Sequence, residues 1–126
     1  MQEPLSLTVS LRGSQELIEP CRVFHLTGQL DAFSEPIFRK VVAKYLEEGP
    51  ANIILDLSHI DFVDSSGVGA LVQIAKLVQG QSGTLQLVGN ARVTQTLKLV
   101  RLDKFLSQKA SVEEALEAAK TAKPEG

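Results

Sequence analysis

The sequence has few of the residues that form disulfides or bind metal ions. Among its 126 residues there is one cysteine, Cys21, so no disulfide can form within the chain. Cys21 also has no set of cysteines and histidines around it at the spacing of a metal site. A lone thiol fits a reducing compartment, and we expect a cytoplasmic protein without a metal site.

An excess of charge of either sign is missing as well. The 13 lysines and arginines nearly balance the 15 aspartates and glutamates, which leaves no basic stripe for nucleic acid or anionic lipid. The start Met1-Gln2-Glu3-Pro4 lacks the features of a secretory signal, and no apolar segment reaches the length of a membrane span. We therefore expect no direct nucleic-acid partner and no membrane partner.

The hydrophobic pattern predicts the secondary structure of a single domain. Alternating and continuous apolar runs predict strands over residues 5–11, 21–27, 53–57, 84–88 and 102–106, with a turn over residues 13–20 that makes the first two a hairpin. Helical spacing and capping residues predict helices over residues 34–49, 64–79 and 90–100 and from residue 111 onward.

Two opening strands followed by alternating helices and strands predict an α/β domain. We expect a mixed, mostly parallel central sheet of four to five strands with about four helices, formed by residues 1–120, and a disordered tail over residues 121–126. Binding sites in such sheets gather at the carboxyl ends of the strands. That edge carries Asp31, after the second strand, and the corner at Asp64 and Ser65, where a strand turns into a helix.

The corner places the hydroxyl of Ser65 at a helix N-terminus. Unpaired backbone N–H groups and a partial positive charge make such a position favourable for a phosphate. The plainer interpretation is that Asp64 or Ser65 only caps the helix. Gly67 and Gly69 cost about 1 kcal/mol each relative to alanine in a helix interior, which favours a site that needs close backbone approach or an exposed hydroxyl.

A serine hydrolase and a nucleotide-binding site are two other kinds of site that place a serine or a glycine-rich turn at the start of a helix. The hydrolase motif Gly-x-Ser-x-Gly needs a glycine where Val63 stands and a histidine after the serine, whereas His25 and His59 both precede Ser65. No glycine-rich phosphate loop is present, and the aspartates near the corner are not spaced as in an EF-hand loop. We therefore expect no catalytic site, no cofactor and no metal.

The helix after Ser65 is apolar over well more than half of its circumference. One stripe faces the sheet, and Ala70, Ile74 and Leu77 lie outside it. These three residues either pack on a neighbouring helix or form an exposed patch beside Ser65 that binds a protein partner.

These residues resemble those of the STAS domains, in particular of the bacterial anti-sigma factor antagonists. The segment from Thr27 to Asp31 is similar to the Gly-x-Leu-Asp element of that family. The segment from Ile53 to Gly69, which includes Asp64-Ser65-Ser66-Gly67, is similar to its most specific motif. The similarity extends over residues 5–118.

The resemblance implies a partner-switching regulator. In that family the unphosphorylated domain binds an anti-sigma factor that is also an ATP-dependent serine kinase with a histidine-kinase-like fold, which frees the sigma factor. Phosphorylation of the serine at the position of Ser65 ends the interaction, and a serine phosphatase restores it. We expect the partner surface to include Asp31, Asp64, Ser65, Ser66, Gly67, Ala70, Ile74 and Leu77.

An alternative keeps the fold and omits the switch. In it the chain is a non-switching STAS scaffold or adaptor in a multi-protein signalling or lipid-transport complex. The presence of Asp64 and Ser65 at the motif positions favours the switch.

Overall fold

A six-stranded mixed sheet organises residues 2–121, which the computed structural model describes. The strands lie side by side in chain order. They are β1 (Glu3–Pro4), β2 (Leu11–Ile18), β3 (Cys21–Leu30), β4 (Asn52–Val63), β5 (Thr84–Val88) and β6 (Gln108–Lys109). The first three strands pair antiparallel, and β3 to β6 pair parallel. The predicted mixed, mostly parallel sheet is confirmed, with one strand more than expected.

Four helices accompany the sheet in the described part of the chain, as predicted. They are α1 (Glu35–Glu48), α2 (Ser65–Gly80), α3 (Ala91–Leu99) and α4 (Val112–Thr121). Asp64 and Asn90 cap α2 and α3, because each side chain accepts the backbone N–H three residues further on at 2.9 Å. The first three helices pack with the main core on one face of the sheet, and α4 packs on the other face.

The first predicted strand is wrong in position. Residues 11–18, not 5–11, pair with β3, and the hairpin turns at Glu19 and Pro20. Leu5 and Leu7 are instead partly buried against the main core, since an alternating pattern marks any extended half-buried segment, paired or not. Gly13, predicted to lie in a turn, is inside β2, where a Cβ atom would lie 2.5 Å from the carbonyl oxygen of His25.

The two central strands are longer than predicted. β3 continues past Gly28, whose φ of +114° and whose contact with the backbone of Ser10 both require glycine. β4 continues from residue 57 to Val63, and two register shifts interrupt its pairing with β3 along this stretch. As a result β3 and β4 end together, with Leu30 paired to Val63.

The last predicted strand is also wrong. Residues 102–106 form turns, in which the N–H of Leu106 bonds to the carbonyl oxygen of Leu102 at 3.0 Å, and the short β6 follows them. Their four-residue apolar spacing belongs to a helical turn and not to a strand. Most of the tail expected over residues 121–126 lies outside the described residues. Between residues 2 and 121, no helix combines the length and apolar character needed to cross a membrane.

Candidate functional site

The side chain of Asp64 joins the ends of β3 and β4. One carboxylate oxygen accepts the N–H of Gly67 at 2.9 Å and caps α2, and the other accepts the N–H of Ala32 at 3.2 Å in the loop after β3. The backbone N–H of Asp64 bonds to the carbonyl oxygen of Leu30 at 3.2 Å. Asp64 therefore fixes the strand-to-helix corner and the neighbouring loop to each other.

Ser65, the first residue of α2, is exposed on this fixed corner. Within residues 2–121 its hydroxyl makes no hydrogen bond. Neither histidine serves it as a base: His25 bonds to Glu16 and Asp56, and His59 lies 3.3 Å from the hydroxyl of Ser58. A serine without an adjacent base is a weak nucleophile, so the corner can present a hydroxyl to another protein but does not activate it.

The loop that carries Asp31 is held by its own side chains. Asp31 accepts the N–H groups of Phe33 and Ser34, both at 3.0 Å. The hydroxyl of Ser34, which is buried, accepts the N–H of Asp31 at 3.1 Å and donates to the carbonyl oxygen of Gln29 at 2.8 Å. Ser34 precedes α1 as expected, but its side chain stabilises this loop and does not cap the helix. Asp31 is thus fixed next to the Ala32 N–H that binds Asp64.

The two glycines of the motif have different surroundings. At Gly67 a Cβ atom would lie 2.2 Å from the carbonyl oxygen of Leu30, so only glycine lets α2 approach the end of β3 this closely. Gly67 is buried, which corrects its expected place in the partner surface. At Gly69 a Cβ atom would meet nothing within 4 Å. Of these two glycines, only Gly67 is needed for close backbone approach. Gly69 is exposed one helical turn after Ser65, where it has no side chain.

The apolar surplus of α2 is mostly covered. Ala70 is 2% and Ile74 0% exposed, because α2 packs against α1 as well as on the sheet. The expectation that these two residues contribute to an exposed partner patch is wrong, and packing on a neighbouring helix was the correct alternative. Leu77 is 45% exposed. Ser66, on the corner itself, is partly exposed.

A second polar cluster lies on the sheet face that carries α4, and the sequence did not indicate it. The two ring nitrogens of His25 face carboxylates on both neighbouring strands, with Asp56 at 2.8 Å and Glu16 at 2.6 Å. The hydroxyl of Ser58 donates to the second oxygen of Asp56 at 2.6 Å. The signal that could have found it is a charged or titratable residue within each of two apolar runs, His25 after Val23-Phe24 and Asp56 after Ile53-Ile54-Leu55. Only the strand register shows that these two residues are paired.

The cluster changes the proton affinity of two of its members. Burial alone would lower the pKa of His25, but hydrogen bonds and charge from Asp56 and Glu16 outweigh it and raise that pKa. Burial would raise the pKa of Asp56, whereas hydrogen bonds from Ser58 and His25 lower it. In the described part of the chain, no group of three or more histidine, cysteine, aspartate or glutamate side chains has an arrangement that could hold a metal ion.

Comparisons with known proteins agree with this architecture. The sequence profile of the STAS domain matches residues 14–115. A Thermotoga neapolitana protein, whose name provisionally assigns it as an anti-sigma factor antagonist, is 30% identical over 104 residues, 81% of this chain and 92% of that protein. The anti-sigma-B factor antagonist of Bacillus subtilis is 32% identical over 63 residues, 50% of this chain and 57% of that protein.

Two solved structures have the same fold. The anti-sigma factor antagonist SpoIIAA in its unphosphorylated form superposes with a TM-score of 0.75 at 22% identity, over 88% of this chain and 98% of that chain. The phosphorylated form of Bacillus SpoIIAA superposes with a TM-score of 0.65 at 22% identity, over 83% of this chain and 96% of that chain. At this identity the likeness establishes the fold.

Proposed function

This chain belongs to the STAS domain family, and we propose that it is an anti-sigma factor antagonist that changes partners when Ser65 is phosphorylated. Unphosphorylated, it binds an anti-sigma factor that is also a serine kinase, and the sigma factor is released. Phosphate on Ser65 ends this interaction, and a serine phosphatase removes the phosphate. The observation that carries the proposal is the exposed, unbonded hydroxyl of Ser65 on a corner fixed by Asp64.

The transfer reaction needs a partner enzyme. The oxygen of Ser65 attacks the γ-phosphorus of ATP, the bond from that phosphorus to the β–γ bridging oxygen breaks, and ADP leaves. No base of this chain lies at the hydroxyl within the described residues, so the kinase must accept its proton. The chain is therefore the substrate of the reaction, and its contribution is to hold the hydroxyl in place.

Phosphorylation adds a charge of about −1.5 to −2 on the first residue of α2. The fold tolerates this charge, because the N-terminus of a helix favours an anion. Hydrogen bonds to Asp64 and Asp31 hold the corner and the loop after β3, and none of them involves the hydroxyl that takes the phosphate. The partner surface is affected instead, since a dianion beside Asp64 is costly to desolvate and repels acidic groups.

The test is phosphate transfer in vitro. The purified protein is incubated with Mg²⁺, ATP and each histidine-kinase-like serine kinase of the same genome, and modified residues are located by mass spectrometry. We expect one phosphate, on Ser65. Ser65→Ala should take up none yet still bind the kinase, whereas the control Ser107→Ala, which alters an exposed serine just before β6, should be modified normally. Phosphate only on other residues, or none with any candidate, would contradict the proposal and favour the scaffold alternative.

A further inference from the structure

Two exposed phenylalanines flank the corner that carries Ser65. Phe33 is 72% exposed in the loop after β3, and Phe62 is 50% exposed near the end of β4. Phe33 follows Ala32, whose N–H binds Asp64, and Phe62 lies two residues before Asp64. Aromatic side chains of this size are mostly buried in folded proteins, and neighbouring exposed ones mark contact surfaces.

Both side chains project from fixed backbone. The N–H of Phe33 is bonded to the carboxylate of Asp31 at 3.0 Å, inside the loop that Ser34 and Asp64 also hold. Phe62 belongs to β4 and is paired with Gln29 of β3. A rigid aromatic group loses little conformational entropy when a partner covers it, which is why such groups dominate binding energy at interfaces.

A kinase that binds at Ser65 contacts more of the surface than the serine itself. A specific interface buries about 800 Å² on each partner, which is far more than one serine side chain offers. An interface of that size centred on Ser65 includes the loop after β3 and the end of β4, since both are joined directly to Asp64.

The charges around the phenylalanines indicate the chemistry of the partner. Asp31, Asp61 and Asp64 lie at this end of the sheet, and Asp61 is exposed. The guanidinium of Arg92 is also present and donates to the carbonyl oxygen of Asp61 at 3.1 Å. Arg39 and Glu35, which border Ser66, form an ion pair at 2.5 Å and balance each other. The three aspartates against Arg92 therefore leave this surface acidic, so a partner with apolar pockets bordered by lysine or arginine is complementary to it.

We propose that Phe33 and Phe62 are the two aromatic anchors by which the serine kinase docks on this protein, next to the corner that carries the hydroxyl it phosphorylates. The inference rests on the function proposed above and specifies the contacts of that partner. It also explains how one phosphate can end the interaction: a kinase that covers both rings excludes water from this corner, so a phosphate dianion on Ser65 would be buried without its hydration. The anchors supply affinity and make it sensitive to phosphorylation.

The test compares exposed phenylalanines in two places. Phe33→Ala and Phe62→Ala are paired with the control Phe105→Ala, since Phe105 is 45% exposed and lies in the turn after α3. The kinase is the one that modifies Ser65 of the wild type, and its Kd for each unphosphorylated variant is measured by calorimetry with ADP present. We expect each anchor variant to weaken binding by about 10- to 30-fold and the control to change it by less than about 2-fold.

Two further readouts separate anchoring from a structural effect. Thermal unfolding should be nearly unchanged for Phe33→Ala, because this side chain is mostly exposed. The ratio of Kd values for phosphorylated and unphosphorylated protein should be smaller in the double variant than in the wild type. If the kinase phosphorylates Ser65 of the wild type but binds the double variant with unchanged Kd, the anchors are refuted and the switch stands. If no kinase binds or modifies the wild type, both are refuted.

Discussion

The cluster at His25 joins side chains of β2, β3 and β4, whereas the corner at Ser65 lies where β3 and β4 end, and the two groups differ in how their hydrogen bonds are used. Around His25, each ring nitrogen faces a carboxylate, and Ser58 occupies the remaining oxygen of Asp56. At the corner, Asp64 uses both oxygens to hold the backbone, while the hydroxyl of Ser65 next to it has no partner within residues 2–121.

This difference separates a structural cluster from a site. The side chains around His25 bond to one another and stabilise the pairing of three strands. The hydroxyl of Ser65 is left free on a backbone that Asp64 fixes, so it is presented to a partner in a defined position.

The largest effect is expected from a charge at the free hydroxyl. Ser65→Asp should weaken binding of the serine kinase by about 100-fold or more, because a carboxylate would have to be desolvated beside Asp64. The melting temperature should change little, since an acidic residue at the start of α2 is favourable. Calorimetric titration and thermal unfolding measure the two quantities. A strongly destabilised Ser65→Asp protein would show that the hydroxyl of Ser65 contributes to the stability of the fold.

The next largest effect concerns the packing beneath the corner. Gly67→Ala places a Cβ atom against the backbone of Leu30 and should lower the free energy of unfolding by about 2–3 kcal/mol. The matched control is Gly69→Ala, where nothing lies within 4 Å and stability should rise by about 0.5–1 kcal/mol. Urea unfolding of both variants measures the difference. Equal effects at the two glycines would mean that α2 does not approach β3 as closely as the structure has it.

A smaller effect is expected from the carboxylate that fixes the corner. Asp64→Ala removes the cap of α2 and the bond to Ala32 and should cost about 1–2 kcal/mol. Asp64→Asn retains an acceptor for the cap and should cost less. Amide hydrogen exchange at Ala32 should accelerate in Asp64→Ala, and unchanged exchange there would show that the loop is held without Asp64.

The sequence predicted the corner better than the strands around it. The turn and the cap at Asp64 and Ser65 depend on adjacent residues, so they could be predicted. The bond from Ala32 to Asp64 and the approach of Gly67 to Leu30 join distant segments, so their partners could not. Gly13 was assigned to a turn because the sequence does not show that another strand's backbone lies against it. The cluster at His25 and the burial of Ile74 were missed or left open for the same reason, since both depend on pairing between distant segments.

The smallest effect is expected from changes of protonation in the cluster at His25, which alter the stability of the fold with pH. The pKa of His25 is raised above its ordinary 6.5, so its stabilisation is complete below pH 6.5 and is lost as pH rises through the raised pKa. The pKa of Asp56 is lowered below 3.8, so its stabilisation is present above pH 3.8 and is lost as pH falls through the lowered pKa.

Between pH 5.5 and 8.5 the melting temperature should therefore decline as pH rises. The decline should be absent in His25→Gln and retained in the control His59→Gln, whose histidine is exposed. Kinase binding by His25→Gln should match the wild type at pH 6.5, because the cluster lies within the strands and not at the corner that carries Ser65. Weaker binding would place His25 in the site and remove the distinction between the two groups.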